Sequence, residues 1–313
     1  ARPTRPPTQA RGIDNGTPRR AGVSATQGGS AMKSPESGMN ERVLSLAHLT
    51  ALACPPPQLV ELASASGCAL CGLRLLPASP GGVHYPLMSD APQMRETLAR
   101  LRGSGVGVFD LEIVRIGERF DARAYEAFFA AGRALDARAV LVAGDDPDEA
   151  RLAAGFAALC DAAAPYGLTC DLEFMPWTAV RDAASATRIV GAAARPNGGV
   201  LVDAIHFARS GSTLDQVRAL PTAWLHYMQV CDAPVPGPAA AEALMHDARS
   251  ARLPPGEGGI DLPALLEALP STLPLSIEIP NDARVAAIGH GAWVDLVANA
   301  TRRLVDRLGP PLA

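Results

Sequence analysis

Side chains that commonly bind metal ions stand near the carboxyl ends of four predicted strands. They are Glu173, Asp203 with His206, Gln229 with Asp232, and Glu278. Each group lies at or just past the end of a short apolar run. In a parallel barrel the carboxyl ends of all strands open on one face, so side chains that are distant in sequence converge there. This pattern predicts one divalent ion bound by Glu173, Asp203, Gln229 and Glu278.

The chemistry of these side chains indicates which ion the site would take. Three carboxylates and one amide offer oxygen donors, which favours Mn²⁺, Mg²⁺ or Co²⁺ over zinc held by thiolates. Taken singly, each residue has a plainer interpretation. Glu173 could pair with an internal arginine, Asp203 could cap the loop after it, and Gln229 could simply be hydrogen-bonded.

Polar neighbours of the predicted ligands are suited to a substrate. His206 follows Asp203 by three residues, where an imidazole could lean over the barrel mouth as an acid or hydrogen-bond donor. Asp232 is a candidate for contact with the substrate or with a metal ligand. His226 falls nearer the other end of its strand, so we predict a structural role for it.

The early strands carry further candidates for the mouth of the barrel. They are His48, Arg74, Asp110 and Glu112. Polar pairs also occur in the interior layers of barrels, so a purely structural role is the alternative for each. No cluster of Arg, Lys and Gly marks a phosphate pocket.

Large apolar residues follow two of the ligand strands. They are Phe174, Met175, Trp177 and Phe207. The simpler interpretation is packing beneath the loops. The alternative is an apolar cavity wall that would admit a partly apolar substrate.

Eight apolar runs position these residues. We predict strands over 42–49, 68–75, 106–113, 139–143, 168–174, 200–204, 225–231 and 275–279. Continuous runs rich in Val, Ile and Leu are typical of parallel strands buried on both faces. Eight βα units over this length predict a (β/α)8 TIM barrel. A doubly wound sheet is the rival fold, but no GxGxxG or phosphate loop follows an early strand.

Helices are predicted between the strands from periodicity and end signals. The first opens after three prolines at 55–57 and ends at Gly67; the others cover 91–102, 122–135, 147–166, 178–196, 214–220, 262–269 and 292–308. Thr178 and Asp261 are the expected N-caps of two of them. The segment 232–260 is expected to be a loop rich in Pro, Ala and Gly.

Composition excludes several functions. The net charge of −4 gives no nucleic-acid surface, and no apolar run approaches the length of a membrane span. The only lysine, Lys33, precedes the predicted barrel, which argues against Schiff-base chemistry. Most of the six cysteines lie in apolar runs and are predicted to be buried free thiols, which fits a reducing cytoplasm. The CxxC of Cys68 and Cys71 has no second cysteine or histidine pair to complete a zinc site.

The chain divides into two parts. Residues 1–40 are rich in Pro, Gly, Ser, Thr and Arg without apolar periodicity, and are predicted to be a disordered extension or tag, with an organellar transit peptide as an alternative. Residues 42–310 are predicted to form the barrel domain.

Five segments resemble the sugar phosphate isomerase/epimerase family, the xylose isomerase-like TIM barrels. They are LEFMPWT, GVLVDAIHFARSG, MQVCDA, RLPPGEGGID and LSIEIP. The resemblance implies that Glu173, Asp203, Gln229 and Glu278 are metal ligands, and that His206 and Arg252 bind the substrate. Ketose epimerases of this superfamily usually have His where this chain has Gln229, whereas inosose and dehydroshikimate dehydratases have Gln. The multi-histidine set of endonuclease IV is absent.

The resemblance implies a metal-dependent isomerase or epimerase that acts on a sugar, keto-sugar or polyol through an enediolate. Glu173, Glu278 and His206 are the expected catalytic residues; the expected substrate contacts are Arg252, His206, Asp232, His48, Arg74 and Glu112. A dehydratase of the inosose or 3-dehydroshikimate type is the alternative, and a non-catalytic carbohydrate-binding barrel is the alternative of another class. The expected partner is a small carbohydrate or polyol, with no nucleic acid or membrane, and homo-oligomerisation is left open.

Overall fold

Eight parallel strands close into a barrel in a computed structural model that describes residues 42–308. The predicted disordered extension lies outside the described residues. The strands are β1 (Leu44–Leu46), β2 (Leu70–Arg74), β3 (Gly107–Ile116), β4 (Ala139–Gly144), β5 (Thr169–Glu173), β6 (Gly198–Asp203), β7 (Met228–Val230) and β8 (Leu275–Ile277). Each strand pairs in parallel with the next, and β1 pairs with β8. The predicted (β/α)8 TIM barrel is confirmed.

Ten helices surround the barrel in the described part of the chain. They are α1 (Pro56–Ala65), α2 (Ala91–Ser104), α3 (Glu126–Ala134), α4 (Glu149–Ala163), α5 (Ala183–Ala193), α6 (Ala204–Ser210), α7 (Leu214–Arg218), α8 (Ala241–Ser250), α9 (Leu262–Glu267) and α10 (Asp282–Leu308). Asp261 caps α9 as predicted, since its side chain accepts a hydrogen bond from the Ala264 amide. None of these helices is long and apolar enough to span a membrane.

The core has two layers. The larger one lies between the strands and the helices and contains all six cysteines, each buried and unpaired as predicted. The smaller one fills the barrel interior and includes Phe109, Leu141, Leu201 and Tyr227. Alternate residues of a strand face the two layers, so each inward position either packs the interior or lines the mouth.

Several helix boundaries differ from the sequence predictions. Helix α5 is capped by Asp182 and Ser185 rather than Thr178, because Asp182 and Ser185 form a reciprocal capping box while Thr178 bonds carbonyl groups of its own turn. Helix α8 lies within the expected loop. Helix α10 begins ten residues earlier than predicted and contains a non-helical residue, Gly289, with a φ of 80°.

Strand register places the predicted ligands side by side. Asp203 pairs with Gln229 across β6 and β7, and Gln229 pairs with Ser276 across β7 and β8. Paired residues of parallel strands point their side chains to the same face. Gln229 therefore lies next to Asp203 in the barrel interior, with Glu278 two residues further along β8 towards the open end.

Candidate metal centre

The predicted ligands are all buried at the carboxyl end of the barrel. Glu173 is the last residue of β5, Asp203 is the last residue of β6, and Glu278 directly follows β8. At most 4% of the surface of Glu173, Asp203, Gln229 or Glu278 is exposed. Buried carboxylates are costly unless they are paired or bind a cation, so the partners of each group decide what the cluster does.

Glu173, Asp203 and His206 form the tightest part of this cluster. One ligand atom from each residue lies within 4.8 Å of the other two. The distance from His206 Nε2 to Glu173 Oε1 is 3.5 Å. His206 reaches this position because α6 begins directly after β6, which places its ring in the first turn of the helix. The sequence prediction lacked this helix.

Asp203 has a second role at the same point. Its Oδ1 accepts a hydrogen bond of 2.8 Å from the Ile205 amide and so caps α6. Asp203 therefore caps a helix, as considered from sequence, and also lies close enough to Glu173 and His206 to share a metal ion with them. Its other oxygen, Oδ2, accepts a hydrogen bond of 2.6 Å from Arg252 Nη1.

Arg252 bridges two of the predicted ligands. Its Nη1 lies 2.6 Å from Asp203 Oδ2, and its Nη2 lies 2.9 Å from Glu278 Oε2. Its Nε donates to the Ala248 carbonyl at 2.6 Å, which fixes the orientation of the guanidinium. The side chain of Glu278 is thus held by Arg252, and Glu278 stands outside the group formed by Glu173, Asp203 and His206.

The charges of the cluster shift the pKa of each member. Burial favours the neutral form of Asp203, but the guanidinium of Arg252 outweighs it and lowers the pKa of this carboxyl. Burial raises the pKa of Glu278 to about 8 against the opposing effect of Arg252. Burial, with the negative charges of Glu278 and Asp203, raises the pKa of Glu173 well above its usual value. Burial lowers the pKa of His206 to about 4, so its ring is neutral near pH 7.

Unpaired atoms show that the residues fit a divalent ion. Neither Oε1 nor Nε2 of the buried Gln229 has a hydrogen-bond partner, and Oε1 of Glu173 has none either. Buried polar atoms without partners are rare and call for an explanation. An oxygen-preferring cation among Glu173, Asp203 and Gln229 would supply the missing partner of the two oxygen atoms, and a shift of Arg252 would free Glu278 to join them.

Replacing Gln229 with Leu tests whether this side chain binds the metal ion or only stabilises the fold. Because both amide atoms lack partners, the variant is expected to keep or slightly increase the free energy of unfolding in chelator. Its affinity for Mn²⁺ is expected to fall about tenfold or more, since one oxygen donor is lost. Urea denaturation and calorimetric Mn²⁺ titration measure the two quantities. A large loss of stability with unchanged Mn²⁺ affinity would assign Gln229 to structure alone.

The remaining predicted site residues lie around this centre in different ways. Arg74 Nε donates to Glu112 Oε2 at 2.7 Å, and Arg74 lines the mouth. His48 uses both ring nitrogens within the protein: Nδ1 accepts from the Arg74 amide at 2.8 Å, and Nε2 lies 2.9 Å from the Cys54 carbonyl oxygen. Asp232 accepts from the backbone amides of the loop after β7, including Gly256 at 2.9 Å. Substrate contact by these four residues stays a prediction.

A cavity of about 320 Å³ opens above the centre. Glu173, His206, Arg252 and Glu278 form part of its wall. Met175 and Trp177 also line it, and the Trp177 ring stands nearly perpendicular to that of His206 with 5.0 Å between the centroids. Phe174 and Phe207 instead pack in the outer core. Of the four large apolar residues considered from sequence, two therefore line the cavity, namely Met175 and Trp177.

Two arginines of the cavity wall were missed by the sequence analysis. Arg115 lies in the part of β3 that extends beyond the predicted strand end, and Arg249 belongs to the unpredicted helix α8. Arg115 lies two residues past the predicted strand end, where the sequence pattern does not show whether an arginine side chain faces the cavity or the solvent. Arg249 had a usable signal in the helical stretch AEALMHDARS, which the surrounding Pro and Gly obscured.

The half-buried His226 pairs with the buried Asp171 towards the amino ends of the strands. The distance from His226 Nδ1 to Asp171 Oδ1 is 2.6 Å, which agrees with the structural role predicted for His226. Burial alone would lower the pKa of His226, but the bond to Asp171 and its charge outweigh burial, so the pKa is raised above 6.5.

This raised pKa predicts a pH-dependent contribution to stability. A group whose pKa is higher in the folded state stabilises the fold fully below its unfolded pKa, about 6.5, and loses that contribution as pH rises through the folded pKa. The difference in free energy of unfolding between wild type and His226→Gln is therefore expected to be largest below pH 6.5 and to shrink above it. Urea denaturation from pH 5.5 to 8.5 tests this. A difference that grows with pH would contradict the assignment.

The fold and the acidic centre define a class, and the comparisons with known proteins agree with it. Residues 113–299, more than half of the chain, match the family described as xylose isomerase-like TIM barrel. The chain belongs to this family. No curated protein is similar enough in sequence to count as a match.

Solved structures show the same architecture at low sequence identity. The IolI protein with a bound zinc atom is 17% identical with a TM-score of 0.69, over 85% of this chain and 98% of that one. The probable 3-DHS dehydratase AsbF from Bacillus anthracis is 14% identical with a TM-score of 0.65, over 83% and 98%. D-allulose 3-epimerase from Methylomonas sp. is 15% identical with a TM-score of 0.60, over 86% and 99%. These identities establish the shared fold alone.

Proposed function

We propose that the protein is a divalent-metal-dependent isomerase or epimerase of a small hydroxy-carbonyl compound of the sugar or polyol class. The observation that carries the proposal is the convergence of Glu173, Asp203 and His206 beside the unpartnered Gln229, at the floor of a cavity. A binding module has no need for such a cluster of buried carboxyl groups, since its desolvation is costly.

A divalent ion held by Glu173, Asp203, Gln229 and Glu278 would supply Lewis-acid polarisation of the substrate carbonyl, which acidifies the adjacent C–H bond. Mn²⁺, Mg²⁺ and Co²⁺ fit these oxygen donors best. The bound zinc of the IolI structure belongs to that protein, but it supports the view that a barrel of this fold can hold a metal ion.

Two carboxyl groups are available to move the proton. Glu173 and Glu278 both line the cavity, from β5 and from the end of β8. One carboxylate takes the proton from the carbon next to the carbonyl. Its return to the former carbonyl carbon, with the hydroxyl proton moving to the former carbonyl oxygen, gives an isomer. Donation of a different proton to the opposite face by the other carboxyl group, in its protonated form, gives an epimer. His206, which is neutral, would position a substrate hydroxyl group by hydrogen bonding.

Dehydration is the second candidate, and Gln229 is the observation that favours it. The family resemblance associates a glutamine at this position with dehydratases, and the solved structures of this fold include a probable one. Here the proton would again go to Glu173 or Glu278, and a hydroxyl group at the β position would leave as water with a proton from His206. The neutral imidazole is a weak acid, so we rank this reaction second.

The reactions differ in their products, which allows one experiment to separate them. Mn²⁺-loaded protein is incubated with ketoses and keto-polyols in D₂O. Deuterium in an isomeric product supports the isomerase or epimerase, whereas loss of water with a new enone absorbance supports the dehydratase. Chelator-treated protein is the control. Absence of both products across the substrate panel, from protein that binds Mn²⁺, would contradict the proposed function.

A further inference from the structure

Arg249 lines the cavity wall, and no carboxylate in the described part of the chain pairs with it. It lies near the end of α8, and its guanidinium carbon is 6.0 Å from the centroid of the Trp177 ring. Within residues 42–308 it forms neither an ion pair nor a side-chain hydrogen bond. A guanidinium over an aromatic face is held by a weak cation–π attraction, and its five N–H donors remain available.

The other arginines that line the cavity are all neutralised. Arg74 pairs with Glu112. Arg115 binds Asp145 through two hydrogen bonds of 2.6 and 2.7 Å. Arg252 bridges the carboxyl groups described above. Arg249 is therefore the exception among the cavity arginines in the described part of the chain.

Arg249 is exposed, and the charges that shift its pKa are those of other arginines. Partial desolvation lowers its pKa, and the positive charges of Arg115 and Arg74 lower it further. Asp282, an exposed carboxylate on the cavity wall, does not pair with it. A guanidinium at the cavity wall that no carboxylate in the described part of the chain binds attracts an anion to that point of the wall.

The charges of the loaded centre point the same way. A divalent ion together with Arg252 would balance the charges of Glu173, Asp203 and Glu278. The ion pairs of Arg74 and Arg115 are already neutral. The charges left on the cavity wall are then those of Arg249 and of the exposed Asp282, which do not pair with each other, so Arg249 keeps a guanidinium without a bound carboxylate in the described part of the chain.

Trp177 links this charge to the proposed reaction centre. The guanidinium carbon of Arg249 lies 6.0 Å from the centroid of its ring, and the centroid of the His206 ring lies 5.0 Å from the same centroid. One small molecule of a few carbon atoms could therefore reach Arg249 with one end while its other end contacts His206.

We propose that the substrate is a hydroxy-carbonyl compound with a carboxylate group, and that Arg249 binds this carboxylate. The inference rests on the proposed function and narrows its substrate class from neutral sugars to sugar acids or related keto acids. A carboxylate is favoured over a phosphate because a single free guanidinium matches one negative charge, and its planar fork matches two oxygen atoms.

Binding of three probes with the same carbon chain tests this proposal. D-gluconate, D-glucitol and D-glucitol 6-phosphate are titrated into Mn²⁺-loaded protein by calorimetry. Gluconate is expected to bind about tenfold or more tightly than glucitol, and Arg249→Gln is expected to remove that advantage while the affinity for glucitol stays unchanged. Arg218→Gln is the matched control, because Arg218 is exposed and pairs only with Asp215 on α7.

Each other outcome contradicts the proposal in a defined way. Equal affinities, no binding by any probe, or a gluconate preference that survives in Arg249→Gln would overturn the carboxylate site. An Arg249-dependent preference for the phosphate would replace carboxylate with phosphate. Gluconate binding through Arg249, together with no isomer, epimer or dehydration product in D₂O from a panel of ketoses, keto-polyols and keto sugar acids, would retain the anion site and refute the proposed function. The two proposals therefore fail separately.

Discussion

Replacement of Glu278 with Gln is expected to lower kcat by about 10³-fold, within the range usual for a lost general acid or base. The amide keeps the size of the side chain and still accepts a hydrogen bond from Arg252, so packing is preserved. It cannot take a proton from carbon, and its neutral amide oxygen is a weaker metal ligand than a carboxylate oxygen. Steady-state kinetics on the substrate found by screening, with Mn²⁺ at saturation, measure the effect.

The same variant must remain folded for this result to be informative. The thermal midpoint of Glu278→Gln is expected to stay within a few degrees of wild type, because Asp203 continues to pair with Arg252. Glu267→Gln, at an exposed position that ends α9, is the control and should retain full activity. A Glu278→Gln enzyme with wild-type kcat would refute the role of Glu278 in proton transfer.

Replacement of Arg252 with Met is expected to destabilise the metal-free protein by about 3 kcal/mol. Methionine preserves much of the buried volume but leaves Asp203 and Glu278 without their shared cation, and both carboxyl groups are buried. Added Mn²⁺ is expected to recover most of this loss, because the ion takes over the neutralisation of the same carboxylates. Urea denaturation in chelator and in excess Mn²⁺ gives both values.

An exposed ion pair provides the comparison for Arg252. Arg284 pairs with Glu257, and both side chains are more than one third exposed. Arg284→Met is therefore expected to change stability by less than about 1 kcal/mol, with no dependence on Mn²⁺. If Arg252→Met were equally destabilised with and without Mn²⁺, Arg252 would be a fixed structural group and the carboxylates would not share a metal ion.

The barrel could be predicted from sequence because its signals are local. Each strand is a continuous apolar run, and most helices have a proline, glycine or aspartate at their ends. The ends that failed are those where two local signals compete. Thr178 has the chemistry of an N-cap but forms a turn, and Asp203 ends a strand while also starting a helix that the apolar pattern hid.

For the candidate site, the sequence predicted which side chains lie at this end of the barrel but not the contacts between them. Glu173, Asp203, Gln229 and Glu278 all lie at the expected end of the barrel, because lone polar residues at the ends of buried strands have few other uses. Their mutual contacts depend on register and on partners distant in sequence. Arg252 reaches Asp203 across 49 residues of chain, and no local pattern encodes that distance. For the same reason the sequence did not reveal that Arg249 faces the cavity without a partner.

Diffraction from crystals soaked with Mn²⁺ tests the central claim most directly. An anomalous difference map is expected to show one strong peak in contact with oxygen atoms of Glu173, Asp203, Gln229 and Glu278, with Arg252 displaced from its bridging position. A map with no peak at this place, in which Arg252 still joins Asp203 to Glu278, would contradict the claim that these side chains form a metal centre.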